Sequence, residues 1–315
     1  MRGQPTRCRS IARNAHSRRR SLARRLLFAV LTALLPQART AGEHAARCGA
    51  ALRARRTNWS DDPVATLPYA HPLLYDLEYD HLQRDIEHYV ELVRRRGGPV
   101  LELGIGNGRV AIPMARAGVE VHGVDASTDM LASLQDKLAS EPPEVAGRVR
   151  AVHGDFRRLN GPPRYRTVLL PFNAVHHCET HTDLLELLGS VDRVMMDGGR
   201  FFLDCYLPDP VLHNRDPKET YAHTDFTHPL TGQTIHSWES SWYDPLRQIH
   251  HVVYTYVPAG EAPIEVKLAL RVFHPQEFRA LLEWGGFVIE HEASSFDGHP
   301  VRADSSKWVL GLRRR

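Results

Sequence analysis

Val100–Met130 reads VLELGIGNGRVAIPMARAGVEVHGVDASTDM, and the order of residue types in it decides the fold. Val100, Leu101 and Leu103 make a short apolar strand. Gly104, Gly106 and Gly108 follow, which lets the backbone turn tightly and approach a ligand with no Cβ in the way. A helix opens there, and a second apolar strand, Val119 to Val124, closes at Asp125, 21 residues after Gly104. A carboxylate at that point meets the two hydroxyls of a bound ribose. The stretch therefore reads as strand, glycine turn, helix, strand and acidic cap, a unit that binds a nucleoside.

A dinucleotide fingerprint, G-x-G-x-x-G, places its third glycine at position 109, where this chain has Arg109, so a nicotinamide dinucleotide is disfavoured. The spacing E-L-G-x-G-x-G, with Glu102 two residues before Gly104, instead resembles motif I of the class I S-adenosylmethionine (SAM) dependent methyltransferases. The resemblance extends from Leu67 to the C-terminus. It implies an α/β fold, a doubly wound seven-stranded and mostly parallel sheet in the order 3-2-1-4-5-7-6 with strand seven antiparallel. It also implies SAM as cofactor, with Glu102, Gly104, Gly106, Gly108 and Asp125 beside it. Downstream, the strand Val149–Val152 ends in His153-Gly154-Asp155-Phe156, which resembles the family's adenine corner. There Asp155 accepts from the adenine amino group and Phe156 packs on the ring; on the residues alone, Asp155 equally reads as a turn cap.

Thr167–Leu170 runs into Pro171-Phe172-Asn173-Ala174-Val175-His176-His177, which resembles motif IV at the edge where substrate and methyl group meet. Asn173 is the candidate for holding the methionine ammonium or the substrate. His176 and His177 are the candidate bases, since an unperturbed imidazole titrates at about 6.5. Being adjacent, only one of them is expected to point inward. Upstream of the glycine turn, Tyr75 best matches a tyrosine that borders the methionine end of SAM in relatives. Many relatives carry an Asp just before the fourth strand, where this chain has Tyr165-Arg166-Thr167.

Charge divides the chain. The first 56 residues hold 14 of its 40 basic residues, all arginine, and one of its 37 acidic residues, Glu43. Residues 57–315 are left with 26 basic and 36 acidic residues, a net charge of −10. An acidic body is poorly suited to a phosphate backbone, so nucleic acid is an unlikely partner and a small-molecule substrate is favoured. Residues 1–57 are read as an Arg-rich extension, disordered or an over-extended start, with a signal-like segment at 24–41. That apolar run is too short for a transmembrane span. A cytoplasmic location is expected because the family's cofactor is kept there. Four cysteines give no disulfide framework, and the 19 histidines form no H-E-x-x-H motif or clustered ligand set, so no metal is expected. The oligomeric state has no signature.

The methyltransferase domain is placed at 58–315, with an insertion at 208–272. Thr234–Tyr243 and Gln248–Val257 flank the turn Asp244-Pro245. In Glu265–Val272 the even positions Val266, Leu268, Leu270 and Val272 are apolar, the period of a half-buried strand. These three strands are expected to form an antiparallel β lid over the cofactor edge, with Trp238, Trp242, Tyr254 and His236 as candidates to wall an organic substrate. The expected activity is transfer of a methyl group to N or O of a small metabolite by in-line displacement. A protein or peptide methyltransferase and a non-catalytic SAM-binding regulator are the alternatives.

Overall fold

The computed structural model describes residues 69–315; the Arg-rich extension 1–57, its signal-like segment and the 57/58 boundary lie outside them. Two helices, α1 (Pro72–Tyr79) and α2 (Arg84–Arg96), precede β1 (Val100–Leu103). The chain then alternates through α3 (Ala111–Arg116), β2 (Val121–Asp125), α4 (Thr128–Ala139), α5 (Pro143–Ala146), β3 (Val149–His153), β4 (Tyr165–Leu170), α6 (His181–Val194) and β5 (Met195–Tyr206). Parallel neighbours need a crossover, and helices supply it while covering both sheet faces. The strands are accordingly apolar on both sides. Leu101, Leu103, Val168 and Leu170 face one core with Leu184, Leu188, Phe201 and Trp308. Val100 and Leu169, one residue out of phase, face the other with Tyr89, Val93, Met114 and Leu134.

After α7 (Pro210–His213) come β6 (Tyr221–Ala222), β7 (Phe226–Thr227), β8 (Thr234–Asp244), β9 (Ile249–Pro258) and β10 (Ile264–Arg271), then α8 (Pro275–Trp284), β11 (Phe287–Ala293) and β12 (Lys307–Arg314). The main sheet has the order β11-β12-β5-β4-β1-β2-β3. β12 runs antiparallel to both β5 and β11, whereas β4 pairs parallel with β5 and β1. This is the sheet order implied by the family resemblance. Within β5 the run Asp197-Gly198-Gly199 interrupts the pairing with β4. Tyr165 and Thr167 of β4 face Met195 and Arg200 of β5, so residues 196–199 bulge out, with Gly198 at φ +73°.

The inserted strands form a second, antiparallel sheet, β10-β9-β8-β6, with β7 also on β8. β6 and β7 are two residues each, too short for a period to be read from sequence. Register fixes which side chains share a face. Glu239 pairs with Tyr254, Tyr254 with Val266 and Val252 with Leu268, which gathers these onto one face with Tyr256. Trp238 and Trp242 pair with Thr255 and His251, and with His236 they occupy the opposite face. Of the four residues expected to wall a substrate, only Tyr254 is on the face toward α1, because the other three have the opposite parity.

The glycine turn is packed against β2 with no slack. A Cβ added at Gly123, in the middle of β2, would stand 2.3 Å from Ile105 Cδ1 and 2.6 Å from Ile105 Cβ, and the latter is fixed to the backbone of the turn. Gly123→Ala is therefore expected to destabilise the protein by about 1–3 kcal/mol, the typical cost of overpacking, read as a lower urea midpoint at unchanged slope.

Candidate active site

Site residues collect at the carboxyl ends of β1, β2, β3, β4 and β5. β1 ends in Glu102-Leu103, and Gly104 leaves it at φ +70°, a conformation that favours glycine. A Cβ on Gly104 would meet only Ala174 Cβ at 3.8 Å, so this side of the turn is open. The turn is pinned from below, since Gly104 N and Ile105 N donate to Val124 O at 2.9 and 3.1 Å. Asp125 braces it from the side. Its Oδ2 accepts from Gly106 N at 2.7 Å and its Oδ1 from Ser127 N at 2.8 Å. Burial raises the Asp125 carboxyl above its ordinary pKa, opposed by those N–H groups. Glu102 is 2% exposed and its Oε2 has no partner. Burial pushes its carboxyl well up, and the Arg109 guanidinium opposes the shift.

At the tip of β3, Asp155 caps the 3₁₀ turn Phe156–Arg158, accepting from Arg157 N at 2.9 Å. The Arg157 guanidinium clamps both Asp155 oxygens and reaches Asp183 at 2.7 Å. The bond to Arg157 holds the Asp155 carboxyl below its ordinary pKa. The turn-cap reading of Asp155 is thus realised. Phe156 is half-buried against the core.

At the end of β4, Phe172 and Asn173 both adopt the left-handed conformation, φ +57° and +61°. Two consecutive non-glycine residues in that region cost of order 1–3 kcal/mol each unless the surroundings impose them. Here Asp204 of β5 imposes them. Its Oδ1 accepts from Phe172 N at 2.8 Å and from the Tyr89 hydroxyl at 2.7 Å. Lys307 of β12 pairs with its Oδ2 at 2.9 Å and donates to Asn173 Oδ1 at 3.2 Å. The amide oxygen of Asn173 is therefore committed to Lys307, which leaves its NH₂ as the group able to donate to a ligand.

The two adjacent histidines have different fates. His176 is fully buried, with Nδ1 donating to Arg271 O at 2.5 Å and Nε2 accepting from Tyr206 N at 3.2 Å. Its ring stacks on Tyr206 at 3.6 Å. Expected as a candidate base, it is instead a brace between β5 and β10, because both ring nitrogens are occupied by backbone groups. Burial pushes its pKa down to about 3. His177 is only half-buried, and its Nε2 hydrogen-bonds the Tyr69 hydroxyl at 2.7 Å. Burial pushes the His177 pKa down to about 4, so this imidazole is neutral at pH 7. Tyr69 in turn accepts from Ser127 Oγ at 3.1 Å through its carbonyl, beside Asp125. The Tyr69–His177 pair thus links the ligand ends of β2 and β4.

Tyr75 lies in α1, edge-on to Tyr69, Tyr79 and Phe172 with ring centroids 4.9–6.2 Å apart. Arg109 carries its guanidinium 4.2 Å from the Phe172 ring centroid and forms a buried ion pair with Asp85 of α2. Its Nε has no partner. Tyr69, Asp204, Lys307 and Arg109 are brought to this site by the structure and were not picked out from sequence. Two had a signal: Arg109 stands where a glycine was looked for, and Asp204 is a lone carboxylate inside the apolar run Phe201–Tyr206. His177 and His181, the nearest approach to a metal pair in the sequence, fall on separate elements, with Thr180 between them capping α6. Among the described residues no group of three or more His, Cys, Asp or Glu is placed to hold a metal ion, and no helix is long and apolar enough to cross a membrane.

Two measurements check this account. Lys307→Met removes the cation from a carboxylate that is 0% exposed and is expected to cost about 1–3 kcal/mol, with part recovered in the double variant carrying Asp204→Asn. Second, His176, His177 and His250 have folded-state pKa values near 3, 4 and 4, below the unfolded value of about 6.5. The unfolded chain then binds more protons between those limits, so these groups remove stability as pH falls from about 6.5 toward 4. His223, whose pKa is raised, has the opposite sign. The urea midpoint should drop between pH 7.5 and pH 5; an unchanged midpoint would mean that these imidazoles are charged in the folded state.

A family model described as a methyltransferase domain matches residues 100–199. The cypemycin N-terminal methyltransferase of a Streptomyces species is 27% identical over 231 residues, 70% of this chain and 84% of that protein. Among solved structures, the CcbJ methyltransferase of Streptomyces caelestis superposes with a TM-score of 0.62 at 28% identity, over 74% of this chain and 96% of that one. A SAM-dependent methyltransferase of Clostridium acetobutylicum gives 0.61 at 16% identity, over 78% and 96%, a likeness of fold. With the sheet order, the glycine turn and Asp125 in place, the chain carries a methyltransferase domain over residues 100–199 and has the fold of the class I S-adenosylmethionine-dependent methyltransferases.

Proposed function

We propose that the protein methylates a nitrogen atom of a small metabolite. The observation that carries this reading is the Tyr69–His177 pair, a neutral imidazole and a phenol held 2.7 Å apart at the reacting edge. When bound, SAM supplies an electrophilic methyl group whose sulfur departs without charge. The residues present fit it. Glu102 offers an unpartnered buried oxygen to an ammonium, the open side of Gly104 leaves room, and Asp125, beside the glycine turn at the end of β2, would meet the ribose. Asp155 and Phe156 would border the adenine, and Tyr75 with Asn173 the methionine end.

Because the leaving group needs no acid, the protein's work is to position the acceptor, to exclude water and to take up one proton. Well-oriented reactants reach effective molarities of about 10⁵–10⁸ M, so positioning can supply most of the acceleration. A histidine with a pKa near 4, its Nε2 already paired with the Tyr69 hydroxyl, is a weak base. That suits an amine, which needs only to be held with its lone pair aimed, better than a hydroxyl, which benefits from a base with a pKa near working pH. The cypemycin relative, named an N-terminal methyltransferase, supports nitrogen as the acceptor and also favours a second reading, a peptide amine. The polar groups kept at Asn173 and His177 argue against a binder without turnover.

Incubation with deuteriomethyl-SAM and a metabolite extract tests the reading. A labelled amine is expected; a labelled alcohol or peptide, or no labelled product in any pool, would overturn it. Calorimetry gives an independent check on the site. Asp125→Ala should weaken SAM binding by about 1.5–3 kcal/mol, roughly 10- to 150-fold, through loss of hydrogen bonds to a charged group.

A further inference from the structure

Helix α1 and the inner face of the inserted sheet line a cavity of about 40 Å³ that is partly open to solvent. Its walls are largely tyrosine: Tyr69, Tyr75 and Tyr79 from the cover, Tyr254 and Tyr256 from β9. Tyr69 and Tyr75 meet at 72° and Tyr75 and Tyr79 at 65°, so ring faces turn in different directions around the space. Among the described residues no lysine or arginine lines it, and Glu78 is its one carboxylate, 7% exposed. Glu78 Oε2 accepts from the Tyr256 hydroxyl and Oε1 from His223 Nε2 at 2.9 Å. A carboxylate has about four acceptor positions, so Glu78 keeps capacity for a ligand. Behind His223, Glu239 lies 4.0 Å from Nδ1 and is itself paired with Arg215.

We propose that this cavity takes the acceptor as its ammonium ion, with Glu78 as counter-charge and first proton acceptor and the tyrosine faces as walls. The proposal rests on the amine reading above and adds the charge state of the acceptor and the groups that recognise it. Aromatic faces carry negative potential and attract a cation, and a buried carboxylate without a neighbouring lysine or arginine in the lining attracts one further. A phosphate or carboxylate substrate would face Glu78 with no lysine or arginine in the lining, which besides the residues named includes His71, to offset it. Tyr69 belongs both to this lining and to the pair with His177, which puts the cavity next to the reacting edge.

The proton balance gives Glu78 a task. An ammonium R–NH₃⁺ that becomes R–NH₂–CH₃⁺ gains a methyl cation equivalent and releases one proton. The proton passes to Glu78, the freed nitrogen lone pair forms the N–C bond, and the electron pair of the broken C–S bond stays on sulfur. His223, with a side chain 24% exposed, is the way from Glu78 to water. Burial works against a charge on His223, but its bond to Glu78 and the nearby Glu239 outweigh it and raise its pKa above the ordinary value.

Choline and its carbon isostere 3,3-dimethylbutan-1-ol share a shape and differ in charge, so titrating each into the full chain saturated with S-adenosylhomocysteine isolates the charge preference. Choline is expected to bind at least about tenfold more tightly, a preference that falls to about twofold or less in Glu78→Gln. Tyr254→Leu, which keeps the wall apolar but removes a π face, should reduce it by about 3- to 10-fold and decides the matter if Glu78→Gln does not fold. Affinity for S-adenosylhomocysteine should stay within about twofold of wild type in both variants, since neither residue borders the glycine turn. Equal binding of the two probes, no choline binding, or a preference that survives both substitutions overturns the proposal while the methyltransferase reading stands. Failure of S-adenosylhomocysteine to bind the wild-type chain would instead bring down that reading and this one with it.

Discussion

One buried carboxylate ties the catalytic edge together. Asp204 has no exposed surface, and a charge so placed costs several kcal/mol unless hydrogen bonds and a counter-ion compensate it. It has all of these, from four separate parts of the chain: the Tyr89 hydroxyl of the cover, the Phe172 amide of the turn after β4, the Lys307 ammonium of β12 and its own place on β5. Hydrogen bonds to a charged group contribute about 1.5–3 kcal/mol each, enough to hold Phe172 and Asn173 in a backbone region that either would avoid alone. Helix α2, the antiparallel strand and the motif IV turn consequently share one anchor, and the groups that face the ligand inherit its rigidity.

Burial then decides what the site can do chemically. His176 and His177 differ by one position in sequence, yet one is locked between two backbone groups and the other faces Tyr69. Both are held neutral by the same desolvation. Tyr69 is likewise kept as a phenol, its pKa pushed up by burial and by neighbouring Tyr75 and Asp125. A reacting edge lined by uncharged hydrogen-bonding groups positions an acceptor without competing for its proton. The acidic and basic side chains stand further out, Glu78 on one side and the Asp204–Lys307 pair, which holds the turn after β4, on the other.

The sequence was most legible where the chemistry is local. The glycine turn with Asp125, the β10 strand and the sheet order implied by the family all have counterparts in the structure. Misplacements arose where a property depends on a partner far along the chain. Trp238, Trp242 and His236 were expected on the substrate side, but strand parity is fixed only once the register with β9 is known. His176 was expected as a base, but the Arg271 carbonyl that occupies it lies 95 residues away. Tyr69, Lys307 and Arg109 carry no motif of their own and acquire roles only through contacts.

What the chain dictates by itself is the nucleoside-binding unit, because Gly104, Gly106, Gly108 and Asp125 act through backbone conformation and a single β–turn–α–β passage, all encoded within 31 consecutive residues. What only the tertiary structure decides is which side chains meet an acceptor and in which protonation state. Those depend on desolvation and on long-range pairing, Tyr69 to His177 across 108 residues and Tyr256 to Glu78 across 178, and neither burial nor pairing exists until the inserted sheet and the cover helix have packed onto the core.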